Sequence, residues 1–500
     1  MTKGWIDSVK DKMFPQVELS DWKKEYIDFL TKNNVLKIGS YKLKSGRMSP
    51  IFLNFAEIND GEGSDKIGHF FAQGIQDNFP EDITTIVAPS YKGNSLSTAT
   101  AISLARDFKR NVHWTNDRKE EKAYGEGTDA SKEAAGKRMF VGHIPKDGDK
   151  PLIEDDVITT GAAKNDAKEK IDSVANVNYV GLILGGNRQE VDLDGNNAVE
   201  EFSKRNKMPV RSLINVLSEA VPYLSMQDKI DEATRRRMIG YTRTYGIEDV
   251  KKPCRDIKFI ERDKGVIPAC DVPLEVFGGI LEATHDIPEV VAYKLSGLRS
   301  GRKGWETWVG EAKRHTDKPL ILDYQKAGND IPDIADDFMG DVKESGFDAV
   351  IIFPFAGGLT HSEWIRAAFE NDLEVIAGAE MTQNNFRKSE GGYIADEVLT
   401  PMYVRSAKYG VNNFVVPGNK VENSKAHVAA IKEAVPGIKI SAYSPGLVVQ
   451  GGEISKVTEN FDRWYGILGR GIIGDKKAMG RFYTVKEMRD ATFDHVSKLK

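Results

Sequence analysis

Eight short apolar runs, each followed by helix-forming sequence, fill the second half of the chain and leave it few possible folds. From about residue 262 to 500 they read GVIPACDV (265–272), VVAYKLS (290–296), KPLILDYQ (318–325), DAVIIFPF (348–355), LEVIAGAE (373–380), NFVVPG (413–418), IKISAYSPG (438–446) and YGILGRG (465–471). Runs of this length, rich in Val, Ile and Leu, suit strands buried on both faces, and the stretches between them supply crossover helices. Eight such units match the usual size of a (β/α)8 barrel. In that fold the chemistry sits at the carboxyl ends of the strands, so polar residues should gather where the apolar runs stop. Asp271, Lys294, Asp323, Lys326, Gln450 and Arg470 all lie at or just past those ends.

The first half alternates in the same way, so the whole chain reads as α/β. Between the halves, residues 214–257 are charged and helix-friendly, with breaks at Gly246 and Pro253. The expected organisation is an N-terminal extension over 1–18, a first domain over 19–215, a helical connector over 216–260 and the barrel over 261–500. With 70 Lys plus Arg against 75 Asp plus Glu, the net charge of −5 gives no electrostatic footprint for nucleic acid. A chain of 500 residues that is 40% hydrophobic can build sizeable cores, which excludes a disordered chain or a fibre. Two cysteines, Cys254 and Cys270, are too few for a disulfide framework or a zinc cluster and suit a reducing compartment. The first twenty residues lack the apolar run of a signal peptide, and no stretch approaches ~18 consecutive apolar residues. A soluble, cytoplasmic protein without a membrane partner is expected.

One motif in the first half carries chemistry. PLIEDDVITTGAA (151–163) leads an apolar run into Asp155 and Asp156, then a Thr-Thr-Gly turn, then helix-forming sequence. Small residues after a strand let backbone N–H groups close around a phosphate, and the helix N-terminus adds its dipole. Two acids just ahead can hold ribose hydroxyls or a hydrated Mg²⁺. The bland alternative is a βα turn with an acidic N-cap.

This segment resembles the phosphoribosyl-diphosphate motif of type I phosphoribosyltransferases. LKSGRMSPIFLN (43–54), PSYKGNSLSTATAISLA (89–105), RKEEKAYGEG (118–127) and NRQE (187–190) are similar, in order and spacing, to orotate phosphoribosyltransferase. The resemblance spans about 20 to 215 and implies a parallel-sheet α/β fold. It also implies that Lys44 reaches the substrates, and that Lys92, Arg118, Lys119 and Lys122 neutralise the diphosphate. The backbone of Thr159, Thr160, Gly161, Ala162 and Ala163 would hold the 5-phosphate, and Thr159 and Arg188 would contact orotate. Mg²⁺ would enter with phosphoribosyl diphosphate, near Asp155 and Asp156, with no direct protein ligand. The family commonly has His where this chain has Tyr124, whose phenol, with a reference pKa near ~10, is a poor proton donor at neutral pH.

In the barrel, ILDYQKAGNDIPD (321–333) places Asp323, Lys326 and Asp330 beyond the third run, where Asp271 and Lys294 could join them in an alternating charged array. Such an array is costly to desolvate and is rarely kept for stability alone. The bland alternative makes Asp323 and Asp330 loop and cap residues and leaves Lys326 in solvent. With SPGLVVQGG (444–452) and GRG (469–471), this half resembles orotidine 5′-phosphate decarboxylase and implies a TIM barrel working without metal or organic cofactor. The family pattern D-x-K-x-x-D is here D-x-x-K-x-x-x-D, two residues longer. The resemblance implies that Asp323 crowds the substrate carboxylate and that Lys326 protonates C6. Asp271 and Lys294 would hold ribose hydroxyls, and Asp330 would reach a neighbouring subunit's site. Gln450, Gly451, Gly452 and Arg470 would grip the phosphate, and Thr382 would bond the base. Cys270 is given no catalytic role.

A chain with both activities, transferase first, resembles bifunctional UMP synthases. The expected small-molecule partners are orotate, phosphoribosyl diphosphate, orotidine 5′-monophosphate and UMP, and the expected assembly is a homodimer with shared sites. Three alternatives stay open here: a barrel acting on a sugar phosphate, as hexulose-phosphate synthases do; an inactive barrel; and a phosphoribosyl-diphosphate sensor without turnover.

Overall fold

The first domain opens with an antiparallel hairpin, β1 (Leu36–Lys42) and β2 (Met48–Leu53), whose turn carries Lys44. A six-stranded sheet follows: β3 (Thr85–Ala88), β4 (His113–Asp117), β5 (Phe140–Gly142), β6 (Pro151–Asp155), β7 (Gly181–Leu184) and β8 (Val210–Ser212). Its order is β5-β4-β3-β6-β7-β8, parallel except for β5. The central strands TIVA, PLIED and GLIL are buried at every residue because helices cover both faces of the sheet. Strand order reverses beside β3, with β4 on one side and β6 on the other. That reversal opens a crevice at the carboxyl ends, where α/β sheets bind ligands. The fold comes from a computed structural model that describes residues 4–90, 93–120, 132–158, 161–301, 304–324, 327–447 and 461–499.

The second half forms the barrel. Its strands are β9 (Lys264–Pro268), β10 (Tyr293–Ser296), β11 (Leu320–Asp323), β12 (Ala349–Ile352), β13 (Glu374–Gly378), β14 (Asn413–Val415), β15 (Ser441–Ser444) and β16 (Arg463–Leu468). Each is parallel to its neighbour from β10 round to β9, and the bridges Val266–Val290 and Ala269–Lys294 close the ring. Each of the eight apolar runs contains or overlaps one strand, shorter than the run because the flanks become loops. Ile267, Ile321, Ile351, Ile376, Tyr443 and Tyr465 pack inside the ring, as alternating inward side chains of a barrel must.

The connecting segment is helical, with helices Val221–Met226, Glu232–Tyr245 and Glu248–Lys251. Asp231 caps the longest, accepting from the Thr234 N–H at 2.7 Å. It is no exposed tether: Met238 through Tyr245 are all buried. Arg243 donates to Glu374 of β13 at 2.7 and 3.0 Å, and its guanidinium stacks on Phe369. The helix Trp5–Met13 packs there too, with Trp5 edge-on to Phe369 and Arg236 bonded to Asp7 at 2.6 Å. One apolar core therefore runs from Ile27 and Phe70 in the first domain, through Tyr241, to Trp364 and Phe414 in the barrel.

Candidate active sites

The first site lies in the crevice at the reversal of strand order. β6 ends on Asp155, and Asp156 follows; both are about 8% exposed. Helix Ala162–Val174 begins after Gly161, whose φ of +74° is left-handed and whose missing Cβ would stand 3.0 Å from Phe202. Glycine therefore suits that position on both counts. Gly161 precedes the helix and Ala162 and Ala163 open it, so their N–H groups belong to its N-terminal end. Thr159 and Thr160 lie outside the described residues, as do Lys92, Lys122 and Tyr124.

The acids are not bare. Lys164, one turn into that helix and nearly fully buried, forms an ion pair with Asp155 and donates to the Val157 carbonyl at 2.9 Å. Asp155 also accepts from the Asp156 N–H at 2.8 Å, and Asp156 accepts from the Val157 N–H at 2.7 Å. Burial pushes the Asp155 carboxyl up while Lys164 pulls against it. The neighbouring Glu154 is fully buried, accepts from Thr100 at 2.9 Å, and has its second oxygen unbonded among the described residues. Burial pushes Glu154 up to about 8, so at neutral pH it stays a neutral acid.

Two adjacent carboxylates at a strand end, one of them already neutralised, suit a Mg²⁺ that keeps its water shell and travels with a substrate phosphate. Among the described residues no group of three or more His, Cys, Asp or Glu side chains is placed to hold a metal ion.

Other expected residues surround the crevice. Lys44 is exposed on the hairpin turn, and Arg118 and Lys119 follow the end of β4. Asp117, the last residue of β4, accepts from the Ser90 N–H at 2.7 Å and from Lys170 at 2.6 Å, and so ties the loop before Lys92 to the strand bearing Arg118. Arg188 donates to Glu190 at 2.8 Å and to Ser49 of β2 at 3.3 Å.

The second site is at the mouth of the barrel. Lys294 of β10 lies 2.5 Å from Asp323, the last residue of β11, and 3.4 Å from Asp271 beyond β9. Parallel pairing fixes this geometry, since Ala269 bridges Lys294 and Ser296 pairs with Asp323. Burial alone would depress the Lys294 ammonium, but the two carboxylates more than reverse it and hold it above its ordinary value. The remaining Asp323 oxygen, Oδ1, is buried with no partner among the described residues. Such an oxygen is costly unless a ligand or a residue not described here engages it. A cavity of about 770 Å³ opens beside the cluster, lined by Asp271, Lys294, Asp323, Thr382 and Arg470.

Asp330 is not brought into that cluster. It is exposed and accepts from the adjacent Ile331 N–H at 2.8 Å. Asn329 accepts from the Phe355 N–H at 2.9 Å, which ties this end of the loop to the residues just past β12. Lys326, Gln450, Gly451 and Gly452 lie outside the described residues. Cys270 is buried and its thiol is pushed up by burial.

Sequence reasoning missed Lys164, Asp117, Glu154 and Glu380. Glu380 is buried at the cavity wall, where Arg387 (2.6 Å), His427 (3.1 Å) and Lys420 (3.3 Å) surround it. Burial works against this carboxylate, yet hydrogen bonds from His427 and Arg387 and the charges of Arg387 and Lys420 hold it down at about 2. Asn419 donates to the Thr382 carbonyl at 2.9 Å and fixes the same wall. The available signal was position: Asp117, Glu154 and Glu380 are acids within or just past apolar strand runs, where a lone charge needs a partner.

Comparison with known proteins gives both halves relatives. The Orotidine 5'-phosphate decarboxylase / HUMPS family matches residues 284–480. An orotate phosphoribosyltransferase of Agathobacter rectalis is 31% identical over 234 residues, covering 46% of this chain and 99% of that protein. Among solved structures, an orotate phosphoribosyltransferase of Francisella tularensis is 28% identical over 44% of this chain and 99% of its own, with a TM-score of 0.37. An orotidine 5'-monophosphate decarboxylase of Methanocaldococcus jannaschii, complexed with the inhibitor BMP, is 20% identical over 47% of this chain and 98% of its own, with a TM-score of 0.39.

Proposed function

We propose, from the premise that the chain belongs to the orotate phosphoribosyltransferase family, that its two halves catalyse consecutive steps of pyrimidine nucleotide synthesis. The first half joins orotate to phosphoribosyl diphosphate, giving orotidine 5′-monophosphate and diphosphate. The barrel then removes CO₂ from that nucleotide to give UMP. The carrying observation is the Asp271–Lys294–Asp323 cluster at a barrel mouth, in the same chain as a phosphoribosyl cradle. The first product bears the phosphate, ribose hydroxyls and carboxylate that the second site's charges suit. The adjoining transferase half favours this reading over a sugar-phosphate barrel.

In the transferase step, orotate N1 bonds to the anomeric carbon while the bond to diphosphate breaks, and negative charge builds on the leaving group. Lys92, Arg118, Lys119 and Lys122 would neutralise that charge, and the donors at Gly161 to Ala163 would hold the 5-phosphate. When bound, Mg²⁺ supplies further positive charge to the diphosphate, and Asp155 and Asp156 would hold its water shell. Arg188 would orient orotate.

In the barrel, Asp323 would crowd the substrate carboxylate with the oxygen that has no partner among the described residues. The C6–carboxylate bond breaks, CO₂ leaves, and the electron pair left on C6 takes a proton from the Lys326 ammonium. Asp271 and Lys294 would hold the ribose, Thr382 the base, and Gln450, Gly451, Gly452 and Arg470 the phosphate. Binding energy from that remote phosphate lowers the barrier at C6. Exposed Asp330 would serve a partner's site in a cytoplasmic homodimer.

The test supplies the purified chain with orotate, phosphoribosyl diphosphate and Mg²⁺. UMP with one equivalent of CO₂ is the expected result. Orotidine monophosphate that accumulates instead would mean a silent barrel, with the lengthened loop between Asp323 and Asp330 as the cause to pursue.

A further inference from the structure

The hairpin that carries Lys44 does not rest on its own domain alone. Its turn is built on Gly46, with φ +87°, and a Cβ there would stand 2.8 Å from Leu359 in the barrel helix Gly358–Glu370. One turn further along that helix, Glu363 is buried and accepts from the Met48 N–H, the first residue of β2, at 3.0 Å. The hydroxyl of Tyr245, from the connector helix, donates to the other Glu363 oxygen, and Arg366 donates to Glu363 at 3.0 Å. The Arg47 guanidinium lies over the Tyr245 ring at 4.2 Å. The residue after Met48 is Ser49, which holds Arg188 at 3.3 Å. An unbroken chain of contacts thus runs from a barrel carboxylate, through the start of β2, to the arginine assigned to orotate.

This arrangement is expensive. Arg366 is about 2% exposed and bonds three carboxylates at once: Glu363, Glu370 at 2.9 Å and Asp336 at 2.8 Å. Buried ionic networks add little to stability compared with apolar packing, and their best-attested use is to fix one geometry among several. Here the geometry fixed is that of a strand entering the transferase site.

We infer that Glu363 is a positioning residue for the transferase: the barrel helix Gly358–Glu370 is the platform that sets the start of β2, and through Ser49 the orientation of Arg188. The inference rests on the proposed transferase activity. It makes the barrel a structural part of the first active site as well as the seat of the second.

The experiment uses the full chain and measures three quantities separately: the KM for orotate, the KM for phosphoribosyl diphosphate, and the decarboxylation of orotidine monophosphate supplied directly. Glu363→Ala should raise the KM for orotate about tenfold, since a displacement of about 1 Å at a positioning group can cost as much as a hundredfold. The KM for phosphoribosyl diphosphate and the decarboxylation rate should stay within about twofold, because the phosphate cradle is on β6 and the barrel mouth is ringed by other residues. Glu363→Gln, which keeps an acceptor for the Met48 N–H, should restore most of the orotate affinity. Tyr245→Phe, which keeps the ring under Arg47, should show a smaller rise of the same kind.

Unchanged orotate kinetics in a folded Glu363→Ala chain would overturn the platform and leave the function standing. A proportional loss of both activities with neither KM changed, and with no rescue by glutamine, would reduce Glu363 to a stabilising residue and overturn it too. If the unsubstituted chain makes no orotidine monophosphate, the transferase reading fails, and the platform fails with it.

Discussion

The two candidate sites reach their charge arrangements by different routes. In the barrel, closure of the sheet brings the carboxyl ends of all eight strands round one mouth, so residues on adjacent strands meet directly. Asp271, Lys294 and Asp323 come from three successive strand ends and touch within 3.4 Å. In the first domain the sheet is open, and only the reversal beside β3 makes a crevice. On the proposed reading, that crevice would take Lys44 from a hairpin, Arg118 from beyond the end of β4, and a brace from the barrel helix Gly358–Glu370. A barrel mouth can therefore be assembled by its own strands, whereas an open sheet depends on what packs against its loops.

The largest expected effect is on the side that strand pairing builds. Lys294→Met should lower decarboxylation by at least ~10³-fold, because it strips the central cation from two carboxylates and leaves both uncompensated. Orotidine monophosphate synthesis by the same variant should stay within a factor of about two, since the sites share none of these residues. Comparable loss of both activities would break the comparison, because it would mean that the barrel cluster also sustains the first site. Lys326→Ala should likewise abolish CO₂ release with synthesis intact. Decarboxylation that survives it would move the proton donor elsewhere in the lengthened loop.

The acids of the crevice come next. Asp155→Asn with Asp156→Asn should lower synthesis by about 10²-fold, the scale on which a misplaced or missing electrostatic group is felt. Decarboxylation of added nucleotide should not change. Substituting Lys164 sharpens the point, since the ion pair is the crevice's own counterpart of Lys294–Asp323. Lys164→Met removes the cation that opposes burial at Asp155, so the Asp155 carboxyl rises further. A carboxyl that protonates more readily is lost as a base at a higher pH, so the acid limb of synthesis should shift upward in a pH–rate profile. At neutral pH the rate should fall about tenfold. An unmoved acid limb would show that Asp155 does not titrate in the working enzyme.

How far the sequence foretold these sites follows the same division. The barrel strands were legible because continuous Val, Ile and Leu runs between helix-forming stretches fit little else, and Lys294 and Asp323 followed from strand ends alone. Asp155, Asp156 and the glycine turn were legible because one local motif holds them all. Lys164 was not, because a lysine one turn into a helix reads as a solvated residue until the fold turns it back on β6. Glu363, Arg366 and Tyr245 were hidden for a related reason. Their partners lie more than a hundred residues away or on the far side of a charged helix, and helical spacing does not distinguish a buried ionic face from an exposed one. The connector showed the same limit: its charge suggested a spacer, yet its last turns are core. Asp330 lies beyond the reach of one chain's geometry, since the role the resemblance implies for it is in a neighbouring subunit's site.

The smallest effect should come from Glu154, whose buried carboxyl lies on β6 of the open sheet. Its carboxyl is held at about 8 by burial, against 4.5 for the ordinary group, so the folded chain keeps a proton that the unfolded chain has released. Between those two values the folded state binds more protons, so stability must fall as pH rises from about 4.5 and finish falling near 8. The ceiling on this loss is a few kcal/mol, and relaxation with water entry around the charged form should reduce it to about 1 kcal/mol. Glu154→Gln keeps an acceptor for Thr100 and cannot ionise, so its unfolding free energy should rise relative to the parent's across that window and exceed the parent's above pH 8 by about that amount. Denaturant unfolding at pH 6 and pH 9 measures both quantities. Parallel curves for parent and variant would mean that Glu154 is already charged in the folded protein. The carboxyl next to Asp155 would then add negative charge to the crevice, and Lys164 would be balancing two acids where the barrel's Lys294 also balances two.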